Sequence, residues 1–278
     1  MGRTIALLTD FGTADTYVGV MKGVIHTICP DAVLIDLTHA VQPQNVRQAA
    51  FALLTSYRYF PIGTIFVVVV DPGVGSERLP LAAEVDGYFF TAPDNGVLSY
   101  VFAESSKERV YSLQNPGLRL AQVSQTFHGR DIFAPAAAHL ANGVAISNVG
   151  ERIVQPKRLP APQLNIEERR IDGEVLHIDH FGNITTSIGQ FRWVSSGKLT
   201  LNPRFSSADA VHIDPERAVI RIGDTQIERI DHIFSDVERG GLLSMVGSSG
   251  FLEIAVNQGD AAKRLEIAIG DRVELEVG

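Results

Sequence analysis

The run Val67-Val68-Val69-Val70 ends on Asp71-Pro72-Gly73-Val74-Gly75-Ser76-Glu77-Arg78, and it limits the possible fold more than any other stretch. Consecutive β-branched residues favour extended backbone. A strand apolar on both faces must be covered on both, as in the interior of a parallel sheet. Ligands of such sheets bind at the carboxyl ends of the strands, and here that end carries a carboxylate, two glycines and then a guanidinium. The pattern recurs where Ile5-Ala6-Leu7-Leu8 runs into Thr9-Asp10-Phe11-Gly12-Thr13-Ala14-Asp15. Two such strand ends predict one site, suited to hydroxyls or positive charge.

The rest of the first half fits this frame. Tyr17–Ile28 has apolar residues near the helical period, Val33–Leu37 reads as a strand, and Asn45–Tyr59 reads as a helix stopped by Pro61-Ile62-Gly63. Strand and helix alternating in this way predict parallel βα units. Ala82–Thr91 is expected to add antiparallel strands, and Asp131–Asn142 a helix with Asp131 as its cap. Pro156, Pro160 and Pro162 then fall close together among charged residues, the composition of a linker. Beyond them come short strands with turns: 173–187, 198–201, 210–213, 218–222, 226–230, 251–256 and 272–277. The expected fold is α/β, with an N-terminal α/β domain (1–158) built on a mostly parallel sheet. A linker (159–171) leads to a C-terminal antiparallel β-barrel-like domain (172–278).

Composition narrows the partners. A net charge of −8 without any basic run disfavours nucleic acid. The one cysteine, Cys29, has no internal partner, which fits a reducing compartment and a place in the core. The apolar run nearest the start, Ile5–Leu8, is too short for a leader or a membrane span, so the cytoplasm is the expected location. Gly73-Val74-Gly75 lacks the third glycine of a dinucleotide turn, and no Gly-Lys-Ser/Thr follows it. Asp10 can accept hydrogen bonds from both hydroxyls of a ribose or simply cap its own turn. In Thr126-Phe127-His128-Gly129-Arg130-Asp131, the imidazole can face a cleft or sit satisfied at a helix start. In Ile178-Asp179-His180-Phe181-Gly182-Asn183, His177 and Asp179 share one strand face without a third metal ligand at a recognised spacing. Its Phe-Gly-Asn turn better suits a planar heterocycle, an aromatic face beside an amide.

Taken in order, these blocks, with Ala92-Pro93-Asp94-Asn95-Gly96 and Gly247-Ser248-Ser249-Gly250-Phe251-Leu252-Glu253-Ile254-Ala255-Val256-Asn257, resemble the S-adenosylmethionine hydroxide adenosyltransferase family. These enzymes are the water-using relatives of fluorinases and chlorinases. The resemblance implies a homotrimer with its site between the N-terminal domain of one subunit and the C-terminal domain of the next. It implies that Asp10 holds the ribose, with Asp15 also at the substrate and Phe127 and Phe181 near the nucleoside. Asp179, Asn183, Ser248, Ser249, Glu253, Val256 and Asn257 would then meet adenine or the methionine moiety. Asp71, Arg78 and His128 match the water-activating triad. Gly129 stands where halogenating relatives carry a halide-holding Ser, and Gln44 where one of them has an aromatic residue.

The implied reaction is attack of water on ribose C5′ of S-adenosylmethionine, with the (R)-sulfonium epimer a candidate substrate, giving adenosine and L-methionine. The sulfonium leaves readily, so the demand falls on the nucleophile. On this reading neutral His128 takes the proton, Arg78 stabilises hydroxide character and Asp71 orients the pair, with no metal or cofactor required. The alternatives are halide transfer on the same scaffold and a protein that binds adenosine or S-adenosylmethionine without turnover.

Overall fold

Residues 2–105, 107–195 and 197–278 are described by a computed structural model. They divide into two units, 1–159 and 160–278.

The first unit is built on six strands: β1 (Thr4–Thr9), β2 (Val33–Thr38), β3 (Ile65–Val69), β4 (Pro80–Val85), β5 (Tyr88–Pro93) and β6 (Arg109–Ser112). Their order is β2-β1-β3-β5-β4-β6. The pairs β1/β2, β1/β3 and β3/β5 are parallel, while β4 runs antiparallel to both β5 and β6. The valine run lies in the centre, and its alternation divides two cores. Val67 and Val69 pack with Met21 and Ile25 of α1 (Tyr17–Ile28) and with Ala134, Ala137 and Ala138 of the helix Ala134–Ala141. Val68 and Val70 pack on the opposite face with Ala49 and Leu53 of α2 (Val46–Leu54). All four valines are at most 2% exposed, as a strand covered on both faces requires.

Local signals account for the helix ends. Asn45 caps α2 by accepting the Gln48 N–H at 2.9 Å. The stretch expected to be one helix through Tyr59 breaks after Leu54 and resumes as a 3₁₀ turn, Tyr57–Tyr59. A short α3 (Ser99–Ala103) precedes α4 (Ala134–Ala141). Asp131 does not cap α4. It lies inside a π-helical turn, Gly129–Phe133, that leads into the helix, and it is fully buried. Its carboxylate draws the upstream loop in, accepting both the N–H (2.8 Å) and the hydroxyl (2.7 Å) of Ser124.

The second unit is an antiparallel sheet that nearly closes on itself. Its strands are β7 (Leu164–Glu167), β8 (Arg170–Ile178), β9 (Ile184–Gly189), β10 (Phe191–Ser195), β11 (Lys198–Leu201), β12 (Val211–Ile213), β13 (Val219–Ile222), β14 (Thr225–Glu228), β15 (Leu242–Val246), β16 (Phe251–Val256) and β17 (Arg272–Glu276). The main sheet runs β14-β13-β17-β8-β9-β16-β15, with β7 paired to β8, and β10-β11-β12 form a separate sheet. The ends approach where the Asp231 N–H meets the Ser244 carbonyl at 2.7 Å. Ile171, Val175, Ile184, Ile220, Ile254 and Leu275 fill the interior. Part of the stretch expected to be linker, Leu164–Glu167, is thus strand. One short helix, α5 (Ala261–Leu265), is capped by Asp260.

Candidate active site

The β3 chain continues through Val70 into Asp71, and the turn that follows brings Arg78 back beside it. Both side chains are buried, 5% and 4% exposed. The guanidinium grips the carboxylate twice, Nε to Oδ1 at 3.1 Å and Nη2 to Oδ2. Its plane also lies over the Phe133 ring, 5.4 Å from the centroid. Gly75 has to be glycine here. Its φ of +77° is left-handed, and a Cβ would stand 2.5 Å from the Gln125 carbonyl. That close approach lays the turn against the loop carrying His128.

Arg78 Nη2 is 2.6 Å from His128 Nδ1. A guanidinium only donates, so Nδ1 must accept. Neutral His128 therefore carries its hydrogen on Nε2, a donor there and not the lone pair the sequence reading assigned to it, and the Ser124 backbone also bonds to the ring. Burial and the neighbouring Arg78 cation both push its pKa below the ordinary histidine value. The neutral form is the resting one.

Asp71, His128 and Gly129 line a cavity of about 400 Å³ together with Asp10, Phe11, Tyr17, Gln44, Val74 and Phe127. Asp10 Oδ2 accepts the Gln44 N–H at 2.8 Å, and Gln44 adopts a left-handed φ of +68°. Phe11, Tyr17 and Phe127 form an aromatic trio with centroids 5.2–5.9 Å apart, Phe127 edge-on to both of the others and Phe11 tilted against Tyr17. Arg130 covers Phe127 at 5.1 Å. A Cβ on Gly129 would meet Met21 Sδ at 3.2 Å and Phe127 Cε2 at 3.3 Å. The Asp131 carboxylate steadies this loop. Burial opposes its charge, yet the donors from Arg130 and Ser124 hold its pKa below the usual carboxylate value.

The first unit thus gathers Asp10, Asp71, Arg78, Phe127 and His128. Asp15 is exposed and lines a neighbouring hollow with Lys22, Asp36 and His39. The other sequence candidates belong to the second unit. Asp179 is occupied locally: it accepts the N–H groups of Phe181 (2.8 Å) and Asn183 (2.9 Å) and the Asn183 side-chain amide (2.9 Å). The turn so fixed leaves Phe181 72% exposed. Glu253 is half-buried, and burial with the nearby Asp179 charge raises its pKa. Ser248 is exposed, Ser249 is half-exposed, Asn257 donates to the Val237 carbonyl at 2.9 Å, and the Val256 side chain belongs to the core. Sequence reasoning overlooked Tyr17 as a cavity wall, because its place at the head of an amphipathic helix explained it already.

Comparison with known proteins gives a consistent result. Residues 5–150 match the SAM hydroxide adenosyltransferase N-terminal domain and residues 173–274 its C-terminal domain. The chain is 36% identical to an (R)-S-adenosyl-L-methionine hydrolase of Salinispora arenicola, over 99% of this chain and 98% of that one. It is 30% identical to a fluorinase of Actinopolyspora mzabensis, over 74% and 84% of the two chains. The crystal structure of an uncharacterized conserved protein from Thermotoga maritima superposes with a TM-score of 0.86 at 39% identity, covering 98% of this chain and 99% of that one.

Proposed function

The chain belongs to the S-adenosylmethionine hydroxide adenosyltransferase family, and from that footing we propose that it hydrolyses S-adenosyl-L-methionine to adenosine and L-methionine. The observation that carries the reading is the Asp71–Arg78–His128 cluster, its ion pair buried, with Asp71 and His128 on the wall of a cavity that also holds Asp10. Water attacks ribose C5′, the carbon–sulfur bond breaks, the electron pair leaves with the thioether of methionine, and one proton is released. His128 Nε2–H holds the water by one lone pair while another faces the carbon. Asp71 receives the proton, the one negative group of the cluster. Arg78 keeps both partners in register and stabilises hydroxide character as it develops. The sulfonium needs no general acid behind it, so the reaction as written calls for no cofactor or metal.

Asp10 accepts the ribose hydroxyls, and the aromatic trio with Phe127 packs on the nucleoside. Gly129 offers no hydroxyl to a halide, which favours water over halide transfer. We assign the (R)-sulfonium epimer as substrate, in keeping with the name carried by the hydrolase relatives. The assembly we propose is a homotrimer in which Asp179, Phe181, Asn183, Ser248, Ser249, Glu253, Val256 and Asn257 of a neighbouring copy complete the site, with Asp15 also at the substrate. The exposed Phe181 ring supports this reading, because a large aromatic on a rigid turn suits a ligand or a second chain. Among the described residues no helix is long and apolar enough to cross a membrane, and the cytoplasm is the compartment we assign.

Turnover in ¹⁸O-water of each separated epimer tests the reaction. Label in the 5′-hydroxyl of adenosine is expected, with the (R) epimer consumed faster. Intact substrate co-purifying without turnover would establish a binding protein instead. Light scattering should give about 90 kDa, a closed trimer of the 30.2 kDa chain.

A further inference from the structure

Behind the cavity lies a line of polar groups that the reaction does not touch. Thr9, the last residue of β1, is fully buried, and its hydroxyl stands 2.8 Å from His39 Nδ1. His39 follows β2 and is itself only 6% exposed. The Thr9 oxygen also accepts the Phe11 N–H at 3.2 Å, and the His39 carbonyl accepts the Gly12 N–H at 2.8 Å. On the far side His39 Nε2 is 3.0 Å from Asp36 Oδ1, in polar contact without hydrogen-bond alignment. Lys22 donates to Asp36 Oδ2 at 2.6 Å.

The bonding can be assigned by counting hydrogens. Nε2 faces the Asp36 carboxylate, which can only accept, so the imidazole hydrogen sits there; Nδ1 then accepts, and the Thr9 hydroxyl donates to it while its oxygen accepts the Phe11 N–H. A buried hydroxyl and a buried imidazole are costly unless paired, so these groups fix one another. They also fix backbone. Phe11 and Gly12, the two residues after Asp10, each give their N–H to this group.

We propose that Thr9, His39 and Asp36 are positioning residues that hold the Asp10–Phe11–Gly12 turn in the shape that receives the ribose. The proposal rests on the assignment of Asp10 to the ribose hydroxyls. None of the three lines the cavity that holds Asp10 and Phe11, so they act on it through those two residues; Asp36 and His39 border the separate hollow beside Asp15. The water-activating cluster stands apart, on the end of β3 and the 124–131 loop. Loosening the clamp should therefore weaken binding and leave the chemical step nearly unchanged.

The test compares wild type, Thr9→Val, Thr9→Ser and Asp36→Asn by adenosine calorimetry and steady-state kinetics. Thr9→Val keeps the shape and removes the hydroxyl. It should raise the adenosine Kd and the KM about tenfold, the worth of one buried hydrogen bond, with kcat within about twofold. Thr9→Ser restores the hydroxyl and should restore affinity. Asp36→Asn, at a side chain 44% exposed and a poorly aligned link, should raise KM about threefold without loss of kcat. Wild-type affinity in Thr9→Val overturns the proposal, as does a kcat that falls as far as KM rises, or a Thr9→Ser as weak as Thr9→Val. If Thr9→Val does not fold, an unchanged KM in Asp36→Asn overturns it. A wild type that neither binds adenosine nor releases it from S-adenosylmethionine would instead overturn the functional reading beneath.

Discussion

Asp10 and Asp71 follow neighbouring parallel strands, with Thr9 of β1 level with Val69 of β3, yet the fold gives them opposite surroundings. Asp71 is buried and clamped through both oxygens by Arg78, which also reaches His128. Asp10 is half-buried, with a single backbone donor, from Gln44, among the described residues. A carboxylate neutralised in place is rigid and can hold a small reactive molecule at a fixed distance. One left largely unneutralised at a cavity edge keeps lone pairs for hydroxyls that arrive with a ligand. Burial and pairing, more than position after a strand, separate chemistry from recognition.

Variants at the two carboxylates should therefore fail in different ways. The largest effect is expected at the β3 end: Asp71→Asn or His128→Ala should lower kcat by ~10²–10⁴-fold, the range of a positioned acid–base group. Adenosine affinity should barely move, and stopped-flow or single-turnover assays would separate the two quantities. Full activity in both variants would remove the cluster from the reaction.

At the β1 end, Asp10→Ala should cost adenosine about 1.5–3 kcal/mol of binding, the range for hydrogen bonds to a charged group. Calorimetry with unchanged affinity would take Asp10 out of the site and erase the contrast. A third change acts on the spacing between the regions. Gly75→Ala forces a side chain onto a left-handed residue and against the Gln125 carbonyl, at a cost of roughly 1–3 kcal/mol. The melting temperature and kcat should both drop, with adenosine affinity falling less, because the displaced loop carries His128 and not Asp10.

The smallest effect concerns pH. Burial and Arg78 depress the His128 pKa, so the imidazole protonates only below the ordinary value of 6.5. The acid limb of kcat/KM should lie below that pH, with activity lost as pH falls through the depressed pKa and flat above it. Asp10→Asn should leave the limb where it is. A limb that moves with Asp10 would mean that the two ends titrate together.

Much of this was legible in the residues because it depends on near neighbours. The bounds of α1 follow from periodicity between Tyr17 and Ile28, and the interior place of β3 follows from the valine run. The α/β class with an antiparallel second half is likewise borne out. Strands β6, β7, β10 and β15 went unread. Leu242–Val246 did carry a signal, a short apolar run between glycines, whereas Leu164–Glu167 among prolines and charges carries almost none. That segment is a strand because β8 offers it hydrogen bonds. Asp131 was misread for a similar reason. An acid at a helix start suggests a cap, and only the folded loop brings Ser124 to it.

The sequence by itself determined the layered first half, the barrel-like second half and the carboxylates at the two strand ends, since each is written in spacing along the chain. Tertiary structure decided which carboxylate is neutralised, which nitrogen of His128 keeps its hydrogen and that His39 reaches Thr9. Those outcomes rest on distances between residues far apart in sequence and on the loss of water around them. Hydrogen-bond direction and pKa are properties of that shared, partly dry space, and no single segment encodes it.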